Sequence, residues 1–161
     1  MKIEQLPSEV VDLLNARLQD EYNAERFYIG ASIWCDLNGF EKASDFFVDE
    51  YHDERRHAHK LQKHASDWNV KLTLPSVTID PEFSSLNDIV EQAYKMEYEL
   101  HEAYANDIKA IGEEYPACEV FLQKFIKIQD KAVVTYADIL KKMEGLSTPF
   151  ELRSMEKKIF G

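Results

Sequence analysis

The sequence predicts an all-α fold: a four-helix bundle with one long crossover and a short fifth C-terminal helix, read as a single domain over residues 1–161. Three observations predict it. Four long stretches place apolar residues at steps of three and four, the period of one helical face. The five prolines, at 7, 75, 81, 116 and 149, all lie outside or at the edges of those stretches. The second and third stretches are separated by a Pro-punctuated link without helical period, while the other connections are short. With 45% hydrophobic residues, 161 positions are enough for a substantial core.

The first helix is expected from Ser8, read as its N-cap, to about Leu37, where Asn38-Gly39 breaks it. Its inward stripe is Val10, Leu14, Glu21, Ala24, Tyr28, Ala31 and Cys35. The second runs from about Phe40 to Trp68 and turns Phe47, Tyr51, Glu54, His57, Ala58, Leu61, Ala65 and Trp68 to one side. The third starts near Ser85 or Leu86 and ends near Glu113, with Leu86, Val90, Ala93, Glu97, Leu100, Tyr104, Ile108 and Ile111 inward. The fourth starts at Pro116 and ends before Gly145, burying Cys118, Leu122, Phe125, Gln129, Ala132, Tyr136, Ile139 and Met143. An amphipathic tail from Pro149 to Phe160 forms the fifth. Short turns make the first two and the next two helices antiparallel pairs. The link from Val70 to Ser84, extended, covers roughly 50 Å against about 42 Å for a 28-residue helix, so it can run the length of the bundle.

Composition excludes several classes. A formal charge of −11 argues against a nucleic-acid partner. No apolar run reaches about 18 residues, so no membrane span is expected. The start, Met1 to Pro7, lacks the apolar core of a signal peptide, and Cys35 and Cys118 fall on helical stripes. Together these read as a cytoplasmic protein with buried reduced thiols. Trp34 and Trp68 read as packing groups, and His52, His59, His64 and His101 as surface groups.

The chemistry lies where the four stripes are interrupted. Glu21, the pair Glu54 and His57, Glu97, and Gln129 each sit about halfway along their helices, so all share one layer whatever direction each helix runs. Burying unpaired carboxylates is costly, and a cation would neutralise them. Glu54 and His57 form Glu-x-x-His, which presents both groups from one face. Carboxylate oxygens with few imidazoles suit iron, with manganese or zinc as competitors. We assign Glu21 and His57 to one metal, Glu54 as the bridge, and Glu97 to the second. The fourth helix carries Gln129-Asp130-Lys131-Ala132 where a symmetric centre would repeat Glu-x-x-His. The second metal is therefore held more loosely.

From about Leu13 to Met143 the chain resembles non-haem ferritins. The likeness rests on Glu21 and Tyr28, on Asp53-Glu54-Arg55-Arg56-His57-Ala58, on Tyr94-Lys95-Met96-Glu97 and on Gln129-Asp130-Lys131-Ala132. Glu-x-x-His with Gln-x-x-Ala is similar to the ferroxidase centre of animal heavy-chain ferritins. The resemblance implies a ferritin-like bundle, a di-iron Fe(II)/Fe(III) centre using dioxygen, and a homo-oligomeric shell of 24 subunits storing ferric mineral. It places Tyr28 beside the centre, as a hydrogen-bond donor to a ligand or an electron donor. Glu50 and Asp53 flank the site and read either as groups that pass iron inward or as solvated helix residues; acidic residues line threefold entry channels in the family, and which of Glu99, Glu102, Asp107, Glu113 and Glu114, if any, face such an axis stays open. A third iron site found in many bacterial ferritins would fall on Ile128, Lys131 and Ala132 and is not implied. Nor is haem, because Arg55 stands where bacterioferritins have methionine. The fifth helix is short, which implies a weaker fourfold contact. The alternative reading is a stable di-iron oxidoreductase, reducing peroxide without storing iron.

Overall fold

A computed structural model describes residues 5–161; the amino-terminal residues 1–4, part of the segment read above as lacking a signal core, lie outside it. Five helices form: α1 (Ser8–Leu37), α2 (Glu41–Asp67), α3 (Leu86–Ile111), α4 (Pro116–Met143) and α5 (Pro149–Phe160). Pro7, not Ser8, occupies the N-cap position of α1. Its ring favours the extended backbone found there (φ −66°, ψ 157°), and no side chain caps the helix. Ser85 does cap α3, its hydroxyl accepting the Asp88 N–H at 3.0 Å. The third helix stops at Ile111, short of Glu113, because Gly112 takes up a positive φ of 61°.

The crossover, residues 68–85, runs alongside α1. Asn15 Oδ1 accepts the Thr73 N–H at 2.9 Å, and Gln19 donates to the Ser76 carbonyl at 3.1 Å. Phe27 meets Phe83 edge to face, and Gly30 lies under Pro81 so closely that a Cβ would come within 2.5 Å of its ring. Residue numbers rise together on both segments, so crossover and helix are parallel and the link spans the bundle.

The polar layer divides the core in two. One half gathers Tyr28, Phe47, Ala93, Tyr136 and Met143; the other gathers Leu14, Leu18, Leu61, Tyr104 and Leu122. The backbones of α1 and α3 approach closely across the middle, whereas α2 and α4 do not, so the bundle opens on its α2–α4 side.

The fifth helix seals one end. A capping box at Thr148 and Glu151 starts it, Leu152 and Ile159 are buried, and Phe160 packs on Phe46 and Phe47. Helix α2 has no side-chain cap of its own. The buried Glu156 supplies one from α5, its carboxylate accepting the Ala43 N–H at 2.8 Å. Glu156→Ala is expected to cost about 1 kcal/mol, the usual value of a lost cap, read as a lower midpoint in denaturant unfolding.

Candidate metal centre

Four buried polar side chains meet at mid-bundle: Glu21, Glu54, Glu97 and Gln129, each at most 3% exposed. Half-buried His57 joins them one turn from Glu54. One donor atom each from Glu21, Glu54 and His57 fall within 4.8 Å of one another. His57 Nδ1 lies 3.3 Å from Glu54 Oε2 and 3.6 Å from Glu21 Oε2. Glu97 stands beside this trio and is held differently. Tyr28 donates to its Oε1 at 2.5 Å and Gln129 Nε2 to its Oε2 at 2.7 Å. Two buried acceptors, Glu21 Oε2 and Gln129 Oε1, have no hydrogen-bond partner. Orphaned acceptors in a dry layer fit a cation, and their chemistry is that of hard oxygen ligands with one imidazole.

Electrostatics agree. Burial raises the Glu54 carboxyl well above the usual range, and the nearby negative charge of Glu21 adds to it. For Glu21 burial works in the same direction, but the nearness of Glu54 and His57 and the hydrogen bond from Tyr104 outweigh it and lower the carboxyl. Without a cation burial disfavours the ionised form of Glu54, which a metal binding there would favour.

The structure also brings in side chains that the sequence reading left in the core. Tyr104 donates to Glu21 Oε1 at 2.6 Å. It mirrors Tyr28: each tyrosine lies seven residues after its own helix's glutamate and hydrogen-bonds the glutamate of the other helix. Tyr136, seven residues after Gln129, is buried and stacks on Tyr28 at 6.1 Å, nearly coplanar. The repeated spacing of a polar ligand and a tyrosine two turns on was the available signal.

A cavity of about 320 Å³ opens from the centre between α2 and α4, lined by Glu50, Asp53, His57, Gln129 and Lys131 among others. Glu50 is pushed up to about 8 by burial, then by the charges of Glu97 and Asp53. Ile128, Lys131 and Ala132 line the same wall and bring no carboxylate to it. One surface expectation is corrected. His64 stacks on Phe121 at 3.9 Å with its Nε2 buried, because the ring shields that phenyl from water. Asp107 is buried against Arg17 (3.5 Å) between α1 and α3, and burial raises its carboxyl to about 6. Trp34 packs face to face on Phe40. Cys35 and Cys118 are buried free thiols, pushed up by burial to about 12 and about 11.

A helical bundle whose stripes converge on buried carboxylates and an imidazole defines the class of carboxylate metalloproteins. Residues 11–146 match the family described as the ferritin-like domain, and the chain belongs to the ferritin family, on its non-haem side. A probable bacterial non-haem ferritin-like protein of Haemophilus influenzae is 26% identical over 144 residues, 88% of this chain and 87% of that one. A bacterial non-haem ferritin of Staphylococcus saprophyticus is 24% identical over 157 residues, covering 94% and 93%. Among solved structures, an iron-soaked variant of the protein PmFTN superposes with a TM-score of 0.86 at 28% identity, covering 94% of this chain and 99% of that one. An open-pore ferritin from the archaeon Archaeoglobus fulgidus reaches 0.89 at 21% identity, covering 96% and 98%, a likeness of fold. Among the described residues no helix is long and apolar enough to cross a membrane.

Proposed function

We propose that this protein is an iron-storage ferritin that oxidises Fe(II) with dioxygen inside the bundle and keeps the ferric product as mineral within a homo-oligomeric shell of 24 copies. The observation that carries the reading is the convergence of Glu21, Glu54 and His57 around unpartnered acceptors in a dry layer. Glu21 and His57 bind one Fe(II), Glu54 bridges, and Glu97 with Gln129 Oε1 takes the second. Two Fe(II) each give one electron, dioxygen takes up the two electrons with two protons and leaves as hydrogen peroxide, and the residues supply geometry and charge. Tyr28 and Tyr104 hold Glu97 and Glu21 in place, Tyr28 from the position the resemblance gives it beside the centre. The fourth helix offers Gln129 and Ala132, one neutral ligand and no carboxylate. A loosely held second iron suits a substrate in transit better than a permanent di-iron cofactor. Two buried unpaired thiols suit a reducing cytoplasm.

The test is aerobic loading with a large excess of Fe(II), followed by gel filtration and iron analysis. Iron far above a stoichiometric pair per chain, eluting with a large assembly, is the expected result. A stoichiometric pair on a small oligomer would overturn the storage half and favour the peroxide-reducing alternative.

A further inference from the structure

Of the three carboxylates in the mid-bundle layer, Glu97 is the one whose two oxygens are both taken by neutral donors. Tyr28 donates to Oε1 at 2.5 Å, and Gln129 Nε2 donates to Oε2 at 2.7 Å while lying 3.4 Å from the Glu97 carbonyl. The other half of the layer is open. Glu21 Oε2 has no hydrogen-bond partner, and the donor atoms that gather within 4.8 Å of one another belong to Glu21, Glu54 and His57, without Glu97. Access divides the same way. The cavity between α2 and α4 is lined by Glu54, His57 and Gln129, whereas Glu97 does not line it. A cation arriving from that side meets Glu54 and His57 at once and reaches Glu97 only past the Gln129 amide. That amide is turned the wrong way for a ligand. Its N–H faces Glu97, and the positive end of the N–H would repel a cation on Oε2. Its oxygen, the end able to bind a cation, is buried and unpartnered.

We propose that Gln129 is a latch on the second half of the centre. It closes Glu97 while the layer is metal-free, so a first cation settles at Glu21, Glu54 and His57, and a second is taken only when the Gln129–Glu97 hydrogen bond breaks. The latch rests on the two-iron centre proposed above and adds to it an order of filling. A hydrogen bond to a charged group in a dry layer is among the stronger kinds, and breaking it lowers affinity for the second cation by about ten- to a hundredfold. Once turned, the amide oxygen can face that cation, but it offsets little of the loss. It is a neutral ligand, and water from the adjoining cavity can take its position. Gln129 is thus a positioning residue that acts through Glu97, and the looseness of the second half comes from a competing hydrogen bond as well as from a missing carboxylate.

The experiment is anaerobic titration of Mn²⁺ alone into the iron-free assembled protein, followed by calorimetry and by electron paramagnetic resonance. Two Mn²⁺ that share a bridging carboxylate give a spin-coupled signal, which separates a filled centre from isolated ions there or on the surface. The wild type is expected to bind its first Mn²⁺ as an isolated ion and to form the coupled pair only at concentrations at least about tenfold higher. Gln129→Leu and Gln129→Met fill the same space without a donor, and either one serves if the other fails to assemble. In them the pair is expected at about tenfold lower Mn²⁺ than in the wild type, with the first step unchanged. A pair that forms at unchanged or higher Mn²⁺ in these variants would overturn the latch and leave the centre standing, as would a wild type that fills both halves together. No coupled pair in any of the proteins, even at saturation, would sink the two-metal centre and the latch with it.

Discussion

Glu54→Ala is expected to slow aerobic Fe(II) oxidation by about 100-fold, while leaving the melting temperature of the iron-free protein unchanged or higher. The two halves of this result come from one fact. Glu54 is 3% exposed and its carboxyl is raised by burial and by the charge of Glu21, so in the iron-free protein its ionised form is disfavoured. Its removal leaves a cavity but takes away a buried carboxyl whose charge the core does not favour. In the proposed centre the same group is the ligand shared by the two irons. Stopped-flow absorbance gives the rate, and calorimetry on the iron-free protein gives the melt. Oxidation at the wild-type rate would show that the centre is assigned to the wrong residues. A large fall in both rate and melting temperature would mean that Glu54 acts as structure.

Stability of the iron-free protein is expected to fall as pH rises, opposite to the usual behaviour of carboxylates in ion pairs. Glu50 is raised from 4.5 to about 8 and Asp107 from 3.8 to about 6, both chiefly by burial. Each therefore binds its proton more tightly folded than unfolded. The folded state holds more protons between these limits, so stability is full below about pH 4 and is lost as pH climbs toward about 8. Shifts of this size correspond to a few kcal/mol, or about 10 °C in melting temperature for a chain of this length. A redox-inert divalent cation such as Zn²⁺ in the centre should flatten the slope, because it favours the charged form of Glu50 nearby. Melting scans from acid to mild alkali, with and without Zn²⁺, measure both. A melting temperature flat or rising with pH in the metal-free protein would contradict the prediction.

Most of the architecture was legible because it rests on period and punctuation. The stripes of α1 to α4 and the tail helix follow apolar spacing, and Asn38-Gly39 and the prolines fall where the chain breaks or links helices. The mid-bundle layer was legible for the same reason, since a polar residue on an apolar stripe is visible without knowing its neighbours. What was not legible depends on relations between helices. Tyr104 and Tyr136 are ordinary core residues on a one-dimensional stripe, and only the α1–α3 pairing shows Tyr104 reaching Glu21. Asp107 sits in an acidic stretch, and its burial against Arg17 follows from how closely α1 and α3 approach. The amino end of α2 offered no cap in its own sequence, and its partner, Glu156, lies 113 residues downstream.

That long-range cap also has a temporal side. During synthesis the helix bearing Glu54 and His57 emerges early, but the carboxylate that finishes its first turn is translated 113 residues later. At ~5–20 residues per second this is a delay of roughly 6–23 s. Over that interval α2 has a frayed beginning, and α3 and α4, with Glu97 and Gln129, are still being made. The chain therefore holds every residue of the mid-bundle layer, the last being Gln129, before the carboxylate that caps the start of α2 is made.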